Sequence, residues 1–135
     1  MEDRASAPVL FVVDDDVLTL ELLRDVAEES GWTSVGFTRL APLRAALGSR
    51  RPTLLIVDDD LPDGRGGDLA RDIRTDPRLE DIPLVVCTAA TPTRRAEIGA
   101  WALVVSKPFD LIEIEEFLAA AVGRDGGQAY RGTAS

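Results

Sequence analysis

The sequence predicts a doubly wound α/β domain: a five-stranded parallel sheet with helices on both faces. Three observations carry this. Apolar runs of strand length alternate with segments of helical period along the 135 residues, the pattern of a parallel sheet covered by its own crossover helices. The third run, Thr53 to Val57, is nearly continuous in apolar residues, as a strand buried on both faces must be. Finally, 45% hydrophobic content with a mean hydropathy near zero suits one core in one domain of ordinary length.

Val9 to Val13 is a short β-branched run that stops at Asp14-Asp15-Asp16. Leu18, Leu22, Leu23 and Val26 then fall on one helical face up to Gly31, with Asp16 as N-cap. Trp32 to Phe37 alternates as a half-buried strand does. Pro42 suits the first turn of a second helix carried by Leu40, Leu43, Ala46 and Leu47 and closed by Gly48. Strand three ends in Asp58-Asp59-Asp60 before a Leu61-Pro62-Asp63-Gly64 turn. The third helix runs through Leu69, Ala70 and Ile73 towards Pro77. Leu84 to Cys87 is strand four, closing on Thr88-Ala89-Ala90, and a short helix lies between Pro92 and Gly99. Ala102 to Val105 is strand five, ended by Ser106-Lys107-Pro108-Phe109. Ile112, Ile114, Phe117, Leu118, Ala121 and Val122 give a final amphipathic helix. The domain occupies residues 8–122; residues 1–7 are expected to be a flexible N-terminus and 123–135, poor in apolar residues, a disordered tail or truncated linker.

Composition removes whole classes of chemistry. With no histidine, His-based catalysis, His-ligated metals and a phosphohistidine on this chain are impossible. The lone Cys87 excludes an intrachain disulfide, a CxxC pair and a thiolate zinc site, and fits a reducing compartment. A net charge of -9 opposes the DNA backbone, so this domain is expected to bind no nucleic acid. Arg50-Arg51 and Arg94-Arg95 read as solvated surface. Met1-Glu2-Asp3-Arg4 has the wrong charge for a signal peptide, and no apolar run approaches the roughly 20 residues of a membrane span, so a cytoplasmic location without membrane association is expected. Lys107 is the only Lys of the chain.

In an open parallel α/β sheet the functional crevice lies beyond the carboxyl ends of the strands. Polar residues fall there: Asp14 and Asp15 after strand one, Asp58 after strand three, Thr88 after strand four and Lys107 after strand five. If strands one and three are neighbours, their carboxylates face one another across about 4.8 Å. Like charges so placed raise one another's pKa or are bridged by a cation. Two carboxylates with a carbonyl and waters suit Mg²⁺ better than Ca²⁺. A metal on one side, with an ammonium and a hydroxyl on the other, would cage a transferring phosphoryl group, and Asp58 would be the nucleophile that forms an acyl phosphate.

These residues, Val12-Val13-Asp14-Asp15, Asp58 followed by Pro62 and Gly66, Thr88-Ala89 and Lys107-Pro108-Phe109, together closely resemble the receiver domain of two-component response regulators. The resemblance covers about residues 8–122. It implies a flavodoxin-like sheet in the order 2-1-3-4-5. It implies that Asp58 takes a phosphoryl group from a sensor histidine kinase or phosphotransfer protein. Asp15 would bind Mg²⁺ directly and Asp14 through water, with Asp58 and the backbone carbonyl of Asp60 completing the metal ligands. Lys107 would hold a phosphoryl oxygen, Thr88 would swing towards the group, and Ala89 would line it.

Asp60 stands where the family often has a neutral residue and is expected to tune phosphoryl lifetime. Family members usually carry an aromatic residue three positions before the Lys; here that position is Val104, with Trp101 three earlier. The Thr88 to Lys107 span is also short, with Pro92 inside it. Trp101 and Val104 mark the output surface, where these departures predict a modified or rigid coupling. The same surface could support a homodimer, and no downstream partner is named by the sequence. Two other readings stay open. Asp58-Asp59-Asp60 offers the Asp-x-Asp of a haloacid-dehalogenase-like phosphohydrolase, although no Thr follows where that motif expects one. A degenerate receiver would act only as a binding module.

Overall fold

The computed structural model describes residues 7–123. Apart from residues 7 and 123, the expected flexible N-terminus and disordered tail lie outside the described residues. The elements run β1 (Val9–Val13), α1 (Val17–Glu29), β2 (Thr33–Phe37), α2 (Leu40–Leu47), β3 (Leu54–Asp58), β4 (Asp60–Leu61), β5 (Gly64–Arg65), α3 (Gly66–Arg74), β6 (Leu84–Thr88), α4 (Pro92–Gly99), β7 (Leu103–Ser106) and α5 (Leu111–Gly123). Five strands form one sheet in the order β2-β1-β3-β6-β7, every pair parallel. Counting sheet strands alone, this is the expected 2-1-3-4-5. β4 and β5 pair antiparallel as a separate hairpin, which the sequence reading saw only as a turn.

Alternation along each strand builds two cores. Leu10, Val12, Leu54, Ile56, Val85 and Cys87 pack with Leu20, Leu23, Ile114 and Leu118 from α1 and α5. Their chain neighbours Phe11, Val13, Leu55, Val57 and Val86 pack with Leu43, Leu69, Ile73 and Ile98 from α2, α3 and α4. A period of two side chains per strand repeat makes each strand feed both layers. β3, in the middle, is buried over all five residues, as its apolar run required. Among the described residues, no helix is long and apolar enough to cross a membrane.

The expected face of α1 needs correction. Its buried residues are Leu20, Leu23, Val26 and Ala27, whereas Leu18 is 81% and Leu22 45% exposed. Leu20 and Ala27 complete the stripe that fits the groove beside β1 and β2, and Leu18 and Leu22 turn outward. Asp16 does cap the helix, accepting from the Leu18 N–H and the Thr19 hydroxyl, and Gly31 supplies a left-handed φ of 90° after it. α2 has no cap from its own N-cap residue. Asp63 in the β4–β5 turn takes that role, accepting from the Leu40 N–H at 2.7 Å and the Ala41 N–H at 2.9 Å, which ties the hairpin to the helix.

Candidate functional site

Each central strand delivers a polar residue to one rim. The Asp14 N–H donates to the Phe37 carbonyl at 3.0 Å, extending β1. Asp58 closes β3 opposite Cys87, and Thr88 closes β6 opposite Ser106. The Lys107 N–H donates to the Thr88 carbonyl at 2.9 Å. The backbone ladder thus fixes all four positions. Asp58 and Ser106 were expected just past their strands; the ladder runs one residue further, so Asp58 is held by sheet hydrogen bonds rather than by a loop.

The side chains converge. Carboxylate oxygens of Asp14, Asp15 and Asp58 lie within 4.8 Å of one another. Lys107 Nζ sits 3.1 Å from Asp58 Oδ1 and 3.7 Å from Asp14 Oδ2. A cavity of about 580 Å³ opens over them, lined also by Asp59, Asp60, Arg65, Thr88, Ala89 and Ala90. The Thr88 hydroxyl oxygen accepts from the Ala90 N–H at 3.0 Å. Asp60 is exposed on the rim, its carboxylate outside the three-acid group.

Burial pushes the carboxyl groups of Asp14 and Asp58 above their ordinary range. Against it work the Asp16 N–H and Lys107 at Asp14, and Lys107 and the Asp60 N–H at Asp58; the neighbouring carboxylates add to the rise. Burial alone would lower the Lys107 ammonium, but its bond to Asp58 and the field of Asp14 hold it above the usual value, so it stays a cation. One ammonium cannot neutralise three crowded acids. Hard oxygens gathered within 4.8 Å of one another are the donor type a small divalent ion takes, and bonds of about 2.1 Å would draw them in to about 4.2 Å or less. The donor set fits a hard divalent cation.

Asp59, Arg65, Gly67 and Arg94 were given no role in the site by the sequence. Asp59 is only 2% exposed. Arg94 grips it from α4 with Nε 3.3 Å from Oδ2 and Nη2 3.0 Å from Oδ1. The Gly67 N–H donates to Oδ1 at 2.9 Å and Arg65 Nη2 to Oδ2 at 3.2 Å. Burial would raise the Asp59 carboxyl, yet these donors hold it below the ordinary range. Arg94, expected as solvated surface, is therefore an interior ion-pair partner. It passes over Gly67, where a Cβ would stand 2.7 Å from Nη2. The signal was present in the strand period: Val57 faces the α3–α4 layer, so Asp59, two residues on, faces it too.

Trp101 and Val104 are partly buried against that same layer. They do not line the acidic cavity. Trp101 borders a smaller one with Gly67, Arg94 and Ile98, and its carbonyl accepts from Arg74 Nε at 2.9 Å. Cys87 is 2% exposed and burial pushes its thiol up to about 12, so it serves packing.

Comparison with known proteins agrees with this geometry. The chain is 28% identical over 121 residues to the phosphate regulon transcriptional regulatory protein PhoB of Pseudomonas aeruginosa, covering 87% of this chain but only 52% of PhoB. It is 25% identical over 117 residues to the polar-differentiation response regulator DivK of Brucella anthropi, covering 84% of this chain and 95% of DivK. The fold superposes with a TM-score of 0.80 on the signal receiver domain of a DNA-binding response regulator from Colwellia psychrerythraea, at 16% identity over 87% of this chain and 99% of that one. The sequence profile of the response regulator receiver domain matches residues 10–119, and with four strand ends bringing acids, hydroxyl and ammonium to one rim, the chain belongs to the response regulator receiver domain family.

Proposed function

We propose that the chain is a phosphorylation-activated switch of a two-component system, accepting a phosphoryl group on Asp58 in a Mg²⁺-dependent reaction. Receiver domains are typically phosphoacceptors rather than enzymes and pair with histidine kinases. The observation that carries the reading is Lys107 Nζ at 3.1 Å from Asp58 Oδ1, with Asp14 and Asp15 oxygens gathered on the same carboxylate. Asp58 is buried, paired with Lys107 and open to the cavity, which is what an acyl-phosphate former needs.

In this reading an Asp58 oxygen attacks the phosphorus of a phosphohistidine on a sensor kinase or phosphotransfer protein. The O–P bond forms as the N–P bond breaks, and the electron pair returns to the donor imidazole. Lys107 keeps its proton and moves its hydrogen bond to a phosphoryl oxygen. Asp14, Asp15, Asp58 and the Asp60 carbonyl would hold Mg²⁺, which would supply positive charge to the phosphoryl oxygens. Thr88 and Ala89 flank the group and Trp101 and Val104 form the output surface. Asp60, on the cavity rim, tunes the lifetime of the phosphoryl group. The domain works in the cytoplasm.

Intact mass after incubation with acetyl phosphate and Mg²⁺ tests this. The wild type is expected to gain one phosphate and Asp58→Asn none. A wild type that gains nothing, or a variant that gains as much, overturns the assignment.

A further inference from the structure

Arg65 is the cation that the acidic cavity holds in addition to Lys107, and four features of the fold place it there. It pairs across the hairpin with Asp60, the second residue beyond Asp58, which sets it at the level of the cavity rim. Asp63 pins the hairpin's turn to the start of α2 through two hydrogen bonds. The Gly66 N–H donates to the Asp59 carbonyl at 3.1 Å, and a Cβ at Gly66 would lie 2.5 Å from the Asp58 carbonyl oxygen. The backbone next to Arg65 is therefore packed directly on that of Asp58. At its far end the Arg65 guanidinium is guided by Asp59.

Asp59 does not depend on Arg65. Its two oxygens already receive two bonds from Arg94 and one from the Gly67 N–H. Arg65 makes a single bond of 3.2 Å, remains 49% exposed along its side chain and lines the cavity with Asp58 and Lys107. A guanidinium has five N–H donors, and an arriving phosphoryl group brings about -1.5 to -2 of charge with three acceptor oxygens.

Building on the proposed phosphorylation of Asp58, the geometry points to Arg65 as a second phosphoryl-binding side chain. It turns from Asp59 to the phosphoryl oxygens as the group transfers, while Arg94 keeps Asp59 neutralised. The contact forms with the charge on the phosphoryl oxygens, so it acts on the transfer step and not on the metal.

The test measures two quantities on wild type, Arg65→Gln and Arg65→Lys: the rate of phosphate gain from acetyl phosphate by intact mass, and the Kd for Mg²⁺ alone by titration calorimetry. Arg65→Gln is expected to gain phosphate about tenfold more slowly, with a Mg²⁺ Kd unchanged or tighter because a cation has left the cavity. Arg65→Lys, which keeps the charge, is expected to stay within about threefold of the wild-type rate. An unchanged rate in Arg65→Gln overturns the inference, as does an equal loss in Arg65→Lys. Slower transfer accompanied by weaker Mg²⁺ binding also overturns it, since a distorted acidic group alone would produce that pair. A wild type that takes up no phosphate refutes the phosphoacceptor reading itself, and is distinguishable from all three.

Discussion

Replacing Asp58 by Asn should make the metal-free protein more stable. Asp58 faces Asp14 and Asp15 with oxygens no more than 4.8 Å apart. At an effective dielectric of about 20, each repulsion at that distance costs about 3.5 kcal/mol. Lys107, at 3.1 Å, returns about 5 kcal/mol on the same scale. Asp15 is exposed, so its share is screened and the repulsions do no more than offset the attraction; the net penalty is the cost of burying the Asp58 charge, about 2 kcal/mol. Asp58→Asn is therefore expected to raise the unfolding free energy by about 2 kcal/mol at neutral pH in EDTA, read from urea titrations. The pH dependence has a definite sign. Burial raises Asp58 and Asp14 above their unfolded values, so the folded chain binds these protons more tightly. The penalty is present at neutral pH and fades as pH falls through the raised values, and the advantage of Asp58→Asn shrinks with it. A variant no more stable than wild type at neutral pH, or an advantage that grows on acidification, would refute the crowding argument.

Arg94→Gln strands the Asp59 carboxylate in the interior, and a loss of about 3 kcal/mol in urea unfolding is expected. Because the folded-state pKa of Asp59 is depressed, its contribution is complete above the ordinary carboxylate range and lost as pH falls through the folded value, so the deficit of Arg94→Gln should narrow in acid. Gly66→Ala should cost more stability than Gly67→Ala: at Gly66 the new Cβ meets the Asp58 carbonyl at 2.5 Å, fixed backbone, while at Gly67 it meets the movable end of Arg94 at 2.7 Å. Equal losses in matched urea titrations would contradict that distinction. Cys87, 2% exposed with its thiol raised to about 12, should resist a thiol reagent in the native protein and react only at the rate of unfolding; fast labelling would count against its burial.

Much of the candidate site was legible because parallel sheets place strand ends on a common rim. Asp14, Asp58, Thr88 and Lys107 each follow an apolar run too short for a helix, so their convergence needed only the strand order. Arg94 was misread as solvated surface because a basic pair on a polar helix looks the same whether or not it finds a buried acid. Leu18 and Leu22 were assigned to the wrong face of α1 because a stripe one residue aside fits the helical period nearly as well. Only the position of the sheet beneath separates the two.

The sequence by itself determined the alternation of elements, the acidic crevice and the ammonium set opposite it, since these follow from local periodicity and from which residue ends each strand. The tertiary structure decided how the charges are shared. It paired Asp59 with Arg94 across Gly67, let Asp63 cap a helix 22 residues earlier in the chain, and raised Arg65 to the rim on a hairpin of two-residue strands. Such pairings depend on distances between segments far apart in the chain, where electrostatic attraction is strong only over a few ångströms and only once water has been excluded. A pattern read along the chain carries no measure of either.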